Sequence, residues 1–159
     1  MRRIDELFLE YGESHQHATN KAIHWVCVPL IFFSLVGLVA SIPSVAVESI
    51  LGYGNPYANW AAMLLVLVLI YYVSLSVSLS IGMMLFAALC LMLANFIVRI
   101  DIVPLWLVSL GIFVIAWIGQ FYGHKLEGKK PSFLKDIQFL LIGPAWLMHF
   151  IYKRLGIPY

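Results

Sequence analysis

Apolar residues fall in blocks along this chain, and the blocks are too long for the core of a water-soluble fold. A helix needs about 20 apolar residues to span the hydrocarbon of a bilayer, and residues 22–41, 60–78, 79–98 and 103–122 meet that measure. A fifth block, 137–152, is shorter and contains Gly143-Pro144. It predicts a span that kinks, or a segment that re-enters without crossing. Near the N-terminus Ile4, Leu7, Phe8 and Tyr11 recur at the i, i+3, i+4, i+7 spacing of an amphipathic helix, with its apolar face laid on the membrane surface. Residues 41–59 hold two prolines and several turn formers around a short apolar piece, which predicts an interfacial loop with a partial helix. The run VSLSVSLSIG over 73–82 alternates like a strand. An open sheet edge is excluded from lipid, so the run predicts two helices meeting at a tight turn, their serine hydroxyls bonded back to helix carbonyls. The expected fold is all-α, a polytopic transmembrane helix bundle of four spans plus a fifth, shorter, Gly-Pro-interrupted segment, preceded by an N-terminal amphipathic interfacial helix. A single integral membrane domain would cover residues 1–159, with 1–19 as interfacial helix and loop and 22–155 as the transmembrane bundle.

Composition strengthens this picture. The chain of 159 residues is 62% hydrophobic and 11% charged, with mean hydropathy +0.92, far outside the range of soluble domains. From residue 22 to residue 98 the only Asp, Glu, Lys or Arg is Glu48, so the lipid bilayer is the expected partner. The net charge of +2 is small and its cations flank the apolar blocks, which gives no footing for a nucleic-acid partner. Four acidic residues precede the first long apolar run, the wrong charge for a cleavable signal peptide. Arg2, Arg3 and Lys21 precede the first block, and Lys125, Lys129, Lys130 and Lys135 follow the fourth. Both groups are expected at the cytoplasmic face, and four crossings return the chain to the side on which it started. Cys27 and Cys90 lie inside apolar blocks and read as packing residues rather than a disulfide.

The chemistry then concentrates at one end. Counting spans gathers four of the five histidines, His15, His17, His24 and His124, at the cytoplasmic face. Asn20 is a natural N-cap that would set His24 in the first turn of the first span, with His15 or His17 folding back over it. Gln120, His124 and Glu127 are spaced i, i+4, i+7 and share a helix face if the fourth span persists past Gly123. Imidazoles beside a carboxylate, with coordination positions left open, suit redox iron. A histidine taken alone at a membrane interface is more often a headgroup contact, and His17, in a polar stretch, reads as solvated. His149 reaches the cluster only if Gly143-Pro144 turns the chain back.

Two blocks carry a resemblance: ESHQHATNKAIHWVCVP over 13–29 and WIGQFYGHKLEGKKPSFLKDIQFLLIGP over 117–144. In these blocks, and in the order and hydropathy of most of its length, the chain resembles the membrane 2-hydroxy fatty acid dioxygenases, a family with a yeast member in α-oxidation at the endoplasmic reticulum and many bacterial relatives. His15, Asn20, His24 and Pro29 carry the match in the first block, and Gln120, His124, Glu127 and Pro131 in the second. The resemblance implies an Fe(II)-dependent enzyme that uses dioxygen to shorten a long-chain 2-hydroxy fatty acid by one carbon. Residue by residue, it implies His15, His24 and His124 as metal ligands. Glu127 is then expected as a fourth ligand or as an orienter of an imidazole, with Gln120 and Asn20 as hydrogen-bonding supports. Lys129 or Lys130 would steer the substrate carboxylate. The acyl tail would stay among the apolar helices while the head meets iron at the interface. The expected membrane is the bacterial inner membrane, or the endoplasmic reticulum membrane if the protein is eukaryotic. Two other readings are a b-type haem protein with His24 and His124 as axial ligands, and a non-enzymatic membrane scaffold or transport component.

Overall fold

The computed structural model describes residues 1–128 and 136–159, and the side chains of all of these except Asp136 and Ile137. Among the described residues seven helices follow in order: α1 (Arg3–Gly12), α2 (Ala18–Ala40), α3 (Val45–Leu51), α4 (Trp60–Leu75), α5 (Val77–Ile100), α6 (Leu105–Glu127) and α7 (Asp136–Leu155). There is no strand among the described residues. The alternating run at 73–82 forms the helix junction that its position in an apolar tract requires. Ser76 alone separates α4 from α5, and its hydroxyl accepts from the Leu79 amide at 3.2 Å. Ser74 and Ser80 donate back to the carbonyls of Tyr71 and Val77, closing hydroxyl groups that lipid would leave unpaired.

Three of the described helices, α2, α5 and α6, are long and apolar enough to cross a membrane. The second expected span is realised as α4, which is apolar but only 16 residues long, or about 24 Å at 1.5 Å per residue. The count of four spans, or five, is thus not what helix length by itself delivers. Antiparallel packing of α4 and α5 is evident from their neighbours. Ala61 at the start of α4 shares a core with Cys90 and Ala94 late in α5, while Tyr72 near the end of α4 shares one with Leu79 and Met83 early in α5.

The Gly-Pro pair does not interrupt the last segment. Helix α7 runs through it, with Pro144 inside and Gly143, Pro144 and Ala145 all buried. A Cβ on Gly143 would sit 2.9 Å from the Tyr11 hydroxyl and 3.2 Å from Val28, so this glycine lets α7 lie against α1 and α2 together. α7 also carries Gln138, His149 and Lys153, and it is not among the described helices apolar enough to cross. Helix α1 forms as its periodicity dictates, with Ile4, Leu7, Phe8 and Tyr11 buried. Their cover differs from the expected membrane surface: they join Ile142, Ala145 and Trp146 of α7 in one core.

The tightest packing lies between α2 and α6, the pair that brings the two histidine blocks together. Small residues permit it. A Cβ on Gly119 would lie 2.7 Å from Cys27 Sγ, one on Gly123 would collide with the Asn20 side-chain oxygen, and one on Gly37 with the Ser109 hydroxyl. Glycines four residues apart on an apolar helix let two backbones approach closely. Large apolar side chains elsewhere in the bundle, among them Leu67, Leu85, Ile115 and Ile118, are exposed, the outward face expected where lipid is the solvent.

Candidate metal centre

Three histidines converge at the end of the bundle where α2 begins and α6 ends. His15 comes from the turn between α1 and α2, His24 from the second turn of α2, and His124 from the last turn of α6. His15 and His24 are buried and His124 half-buried. Each offers one ring nitrogen, and the three nitrogens lie within 4.8 Å of one another. The ring centroids are 4.2 Å apart for His15 and His24, 5.1 Å for His24 and His124 and 5.4 Å for His15 and His124, all edge to face.

The hydrogen bonds decide which nitrogens are free to ligate. His15 Nδ1 lies 2.6 Å from the Tyr11 carbonyl and His24 Nδ1 lies 2.9 Å from the Asn20 carbonyl, each four residues back. A carbonyl only accepts, so each Nδ1 carries the proton and donates it, and each Nε2 keeps its lone pair. Among the described residues, His15 Nε2 and His124 Nδ1 are buried without a hydrogen-bond partner. An orphaned lone pair in such a place needs an explanation, and a cation held among three imidazoles supplies one. Burial also pulls the His15 imidazolium down to about 4 from 6.5, against the raising effect of its bond to Tyr11. At neutral pH the ring is thus in the neutral form that a metal binds. The donor set fits a first-row divalent metal: three neutral imidazoles suit iron, zinc, copper or nickel and leave coordination positions open.

The segment carrying His15 is fixed from two sides. The Tyr11 ring stacks on His15 at 4.2 Å and 14°, and Tyr11 itself packs against Trp146 and Phe139 of α7. On the other side Glu127 accepts from the Gln16 amide at 2.7 Å, the His17 amide at 3.0 Å and the Asn20 side-chain amide at 2.9 Å. Because α6 persists past Gly123 to Glu127, its carboxylate reaches the opening of α2. Its oxygens are engaged there, and it does not belong to the three-nitrogen cluster.

Asn20 sits in the first turn of α2 instead of capping it. The cap is His17, whose Nδ1 accepts from the Thr19 amide. The earlier start follows from Glu127, which holds the residues just before the helix. Asn20 is fully buried and links Ser14 and Glu127, and its carbonyl orients His24. Gln120 is buried one turn before His124. His17 is exposed, as its polar surroundings suggest. His149 is buried against Phe8 and Tyr159, apart from the triad. Lys129 and Lys130 lie outside the described residues. Tyr11, Gly123 and Trp146 escaped sequence reasoning. The glycines at 119 and 123 do leave a trace in their spacing, whereas a backbone carbonyl that orients an imidazole leaves none.

No curated protein matches the chain, and no solved structure does. A protein family does, the 2-hydroxy-palmitic acid dioxygenase Mpo1-like family, over residues 1–155. That span takes in α1, both histidine blocks and all of α7, and on it this chain belongs to the Mpo1-like family.

Proposed function

We propose that the chain is an Fe(II)-dependent dioxygenase that removes one carbon from long-chain 2-hydroxy fatty acids, with His15, His24 and His124 holding the iron. The observation that carries this reading is the convergence of three imidazoles, two of them locked by backbone carbonyls that accept from Nδ1 and leave Nε2 to face the cluster. Membership of the Mpo1-like family supports the substrate and the reaction class. Iron, when bound, supplies the activation of dioxygen.

The chain's own residues then have separable tasks. The Tyr11 and Asn20 carbonyls hold two imidazoles in one tautomer and one orientation. Glu127 holds the His15 segment against α6. Three neutral donors leave the positive charge of an ion to be balanced by the substrate, and a 2-hydroxy acid brings a carboxylate and an adjacent hydroxyl. Buried Trp146, within 5.6 Å of the His15 ring, and Tyr11 keep water from one side of the cluster. In the overall balance the C1–C2 bond breaks, C1 leaves as carbon dioxide, and dioxygen ends as one oxygen of the new carboxylate and as water. The lysines that flank the histidine blocks in sequence support a cytoplasmic face for the site, in a bacterial inner membrane or that of the endoplasmic reticulum. A haem reading loses ground, because edge-to-face rings 5.1 Å apart leave no slot for a porphyrin between His24 and His124.

The test is the metal content of protein purified anaerobically in detergent, beside a His24→Ala, His124→Ala double mutant. The expected result is near-stoichiometric iron and turnover of 2-hydroxy fatty acids in the wild type, with both lost in a mutant that still folds. A wild type that fails to take up added Fe(II) would remove the metal centre.

A further inference from the structure

An entirely apolar cavity of about 240 Å³ lies between α2, α4 and α7. Its walls include Phe32, Leu35 and Val39 of α2, Leu65 and Val68 of α4 and Leu140 of α7. We propose that this cavity holds the distal part of the substrate's acyl tail and so sets chain-length preference, an inference that rests on the dioxygenase reading for the position of the head.

Position along α2 argues for it. Leu35 is 11 residues beyond His24 and Val39 is 15, which places them about 16 and 22 Å from that imidazole along the axis at 1.5 Å per residue. A long-chain fatty acid bound by its head at the triad delivers its tail to that depth. Direction agrees: at 3.6 residues per turn Leu35 and Val39 fall on the same face of α2 as His24. Helix α7 joins the two places. Leu140 lines the cavity, Ile142 and Ala145 pack with Val28 of α2, and Trp146 lies beside His15. Mostly apolar side chains of α2 and α7 thus fill the interval between triad and cavity. The lining matches an alkyl chain and offers no group to hold a polar ligand.

Depth gives the proposal a graded signature. Because α4 runs antiparallel to α2, Val68 lies nearer the triad than Val39 does. Val39→Phe is expected to trim only the longest substrates, and Val68→Phe shorter ones as well. Displacing about two methylenes from the cavity lowers kcat/KM for a long substrate by about tenfold, while a substrate too short to reach the cavity is turned over as before. Equal loss at every length would overturn the proposal.

That profile depends on turnover and would be lost if the dioxygenase reading failed, so a second measurement is independent of it. A 2-hydroxy fatty acid carrying a photoreactive diazirine at its methyl end is cross-linked to the wild-type protein in detergent, and the adducts are mapped by mass spectrometry. Adducts at Leu65, Val68 or Leu140 that excess unlabelled acid suppresses are expected. Adducts confined to outward-facing residues such as Leu67 and Leu85, unaffected by competitor, would overturn the cavity assignment whether or not the protein proves to be an oxygenase.

Discussion

Glu127 shows how a carboxylate beside a candidate metal centre can serve it from a distance. Its two oxygens take the Gln16 and His17 amides and the Asn20 side chain, the same short stretch that presents His15. Glu127→Gln replaces one acceptor oxygen with a donor that faces other donors. Partners of this kind tune metal affinity by roughly 10–100-fold. The variant is expected to fold and to bind Fe(II) more weakly by about that factor in an anaerobic titration, and unchanged affinity would leave Glu127 with no positioning role. At this level the sequence was informative about which residues matter and less so about how. His15, His24 and His124 stand out because imidazole is scarce in an apolar chain and span counting puts them at one end. Asn20 stood out too, as a cap, yet it lies inside the helix, because a carboxylate 107 residues away sets where α2 begins.

Helix packing explains why the histidine blocks meet at all. Gly119 and Gly123 allow α6 to approach α2 until Cys27 and Asn20 fill the space that side chains would occupy. In Gly123→Ala the new methyl collides with the Asn20 oxygen, so either Asn20 shifts from its place beside Glu127 or the helices separate at the level of His24 and His124. The expected outcome is loss of stoichiometric metal with the helical circular dichroism retained. Gly111, on the same helix with open space where a methyl would go, serves as the control, and equal metal loss in Gly111→Ala would show a general effect of added methyls. Helix positions were largely legible from hydropathy, since a bilayer demands long apolar runs. Partners were not: an amphipathic stripe such as that of α1 reads identically whether lipid or α7 covers it. The Gly143-Pro144 pair reads as a break because proline lacks an amide, yet α7 runs through it, with Gly143 in tight contact with Tyr11 and Val28.

Taken together, the described residues combine exposed apolar surface over most of the chain's length with a buried histidine cluster at one end. A ligand that binds only the folded arrangement raises stability by mass action, by about 2.7 kcal/mol at a hundredfold excess over its dissociation constant. Anaerobic Fe(II) is therefore expected to raise the thermal midpoint of the detergent-solubilised protein, and His15→Ala to abolish that rise. A rise of equal size in the variant would mean that iron binds elsewhere.

The distance in sequence between His24 and His124 also has a meaning in time. A ribosome releases the chain from the N-terminus, and a hundred residues of further synthesis separate the second imidazole from the third. Until α6 has entered the bundle, the nascent protein holds only two of the three ligands, in a turn that Glu127 has not yet closed. Under the proposed function, capture of a metal by all three imidazoles is thus confined to molecules in which α6 has already joined α2.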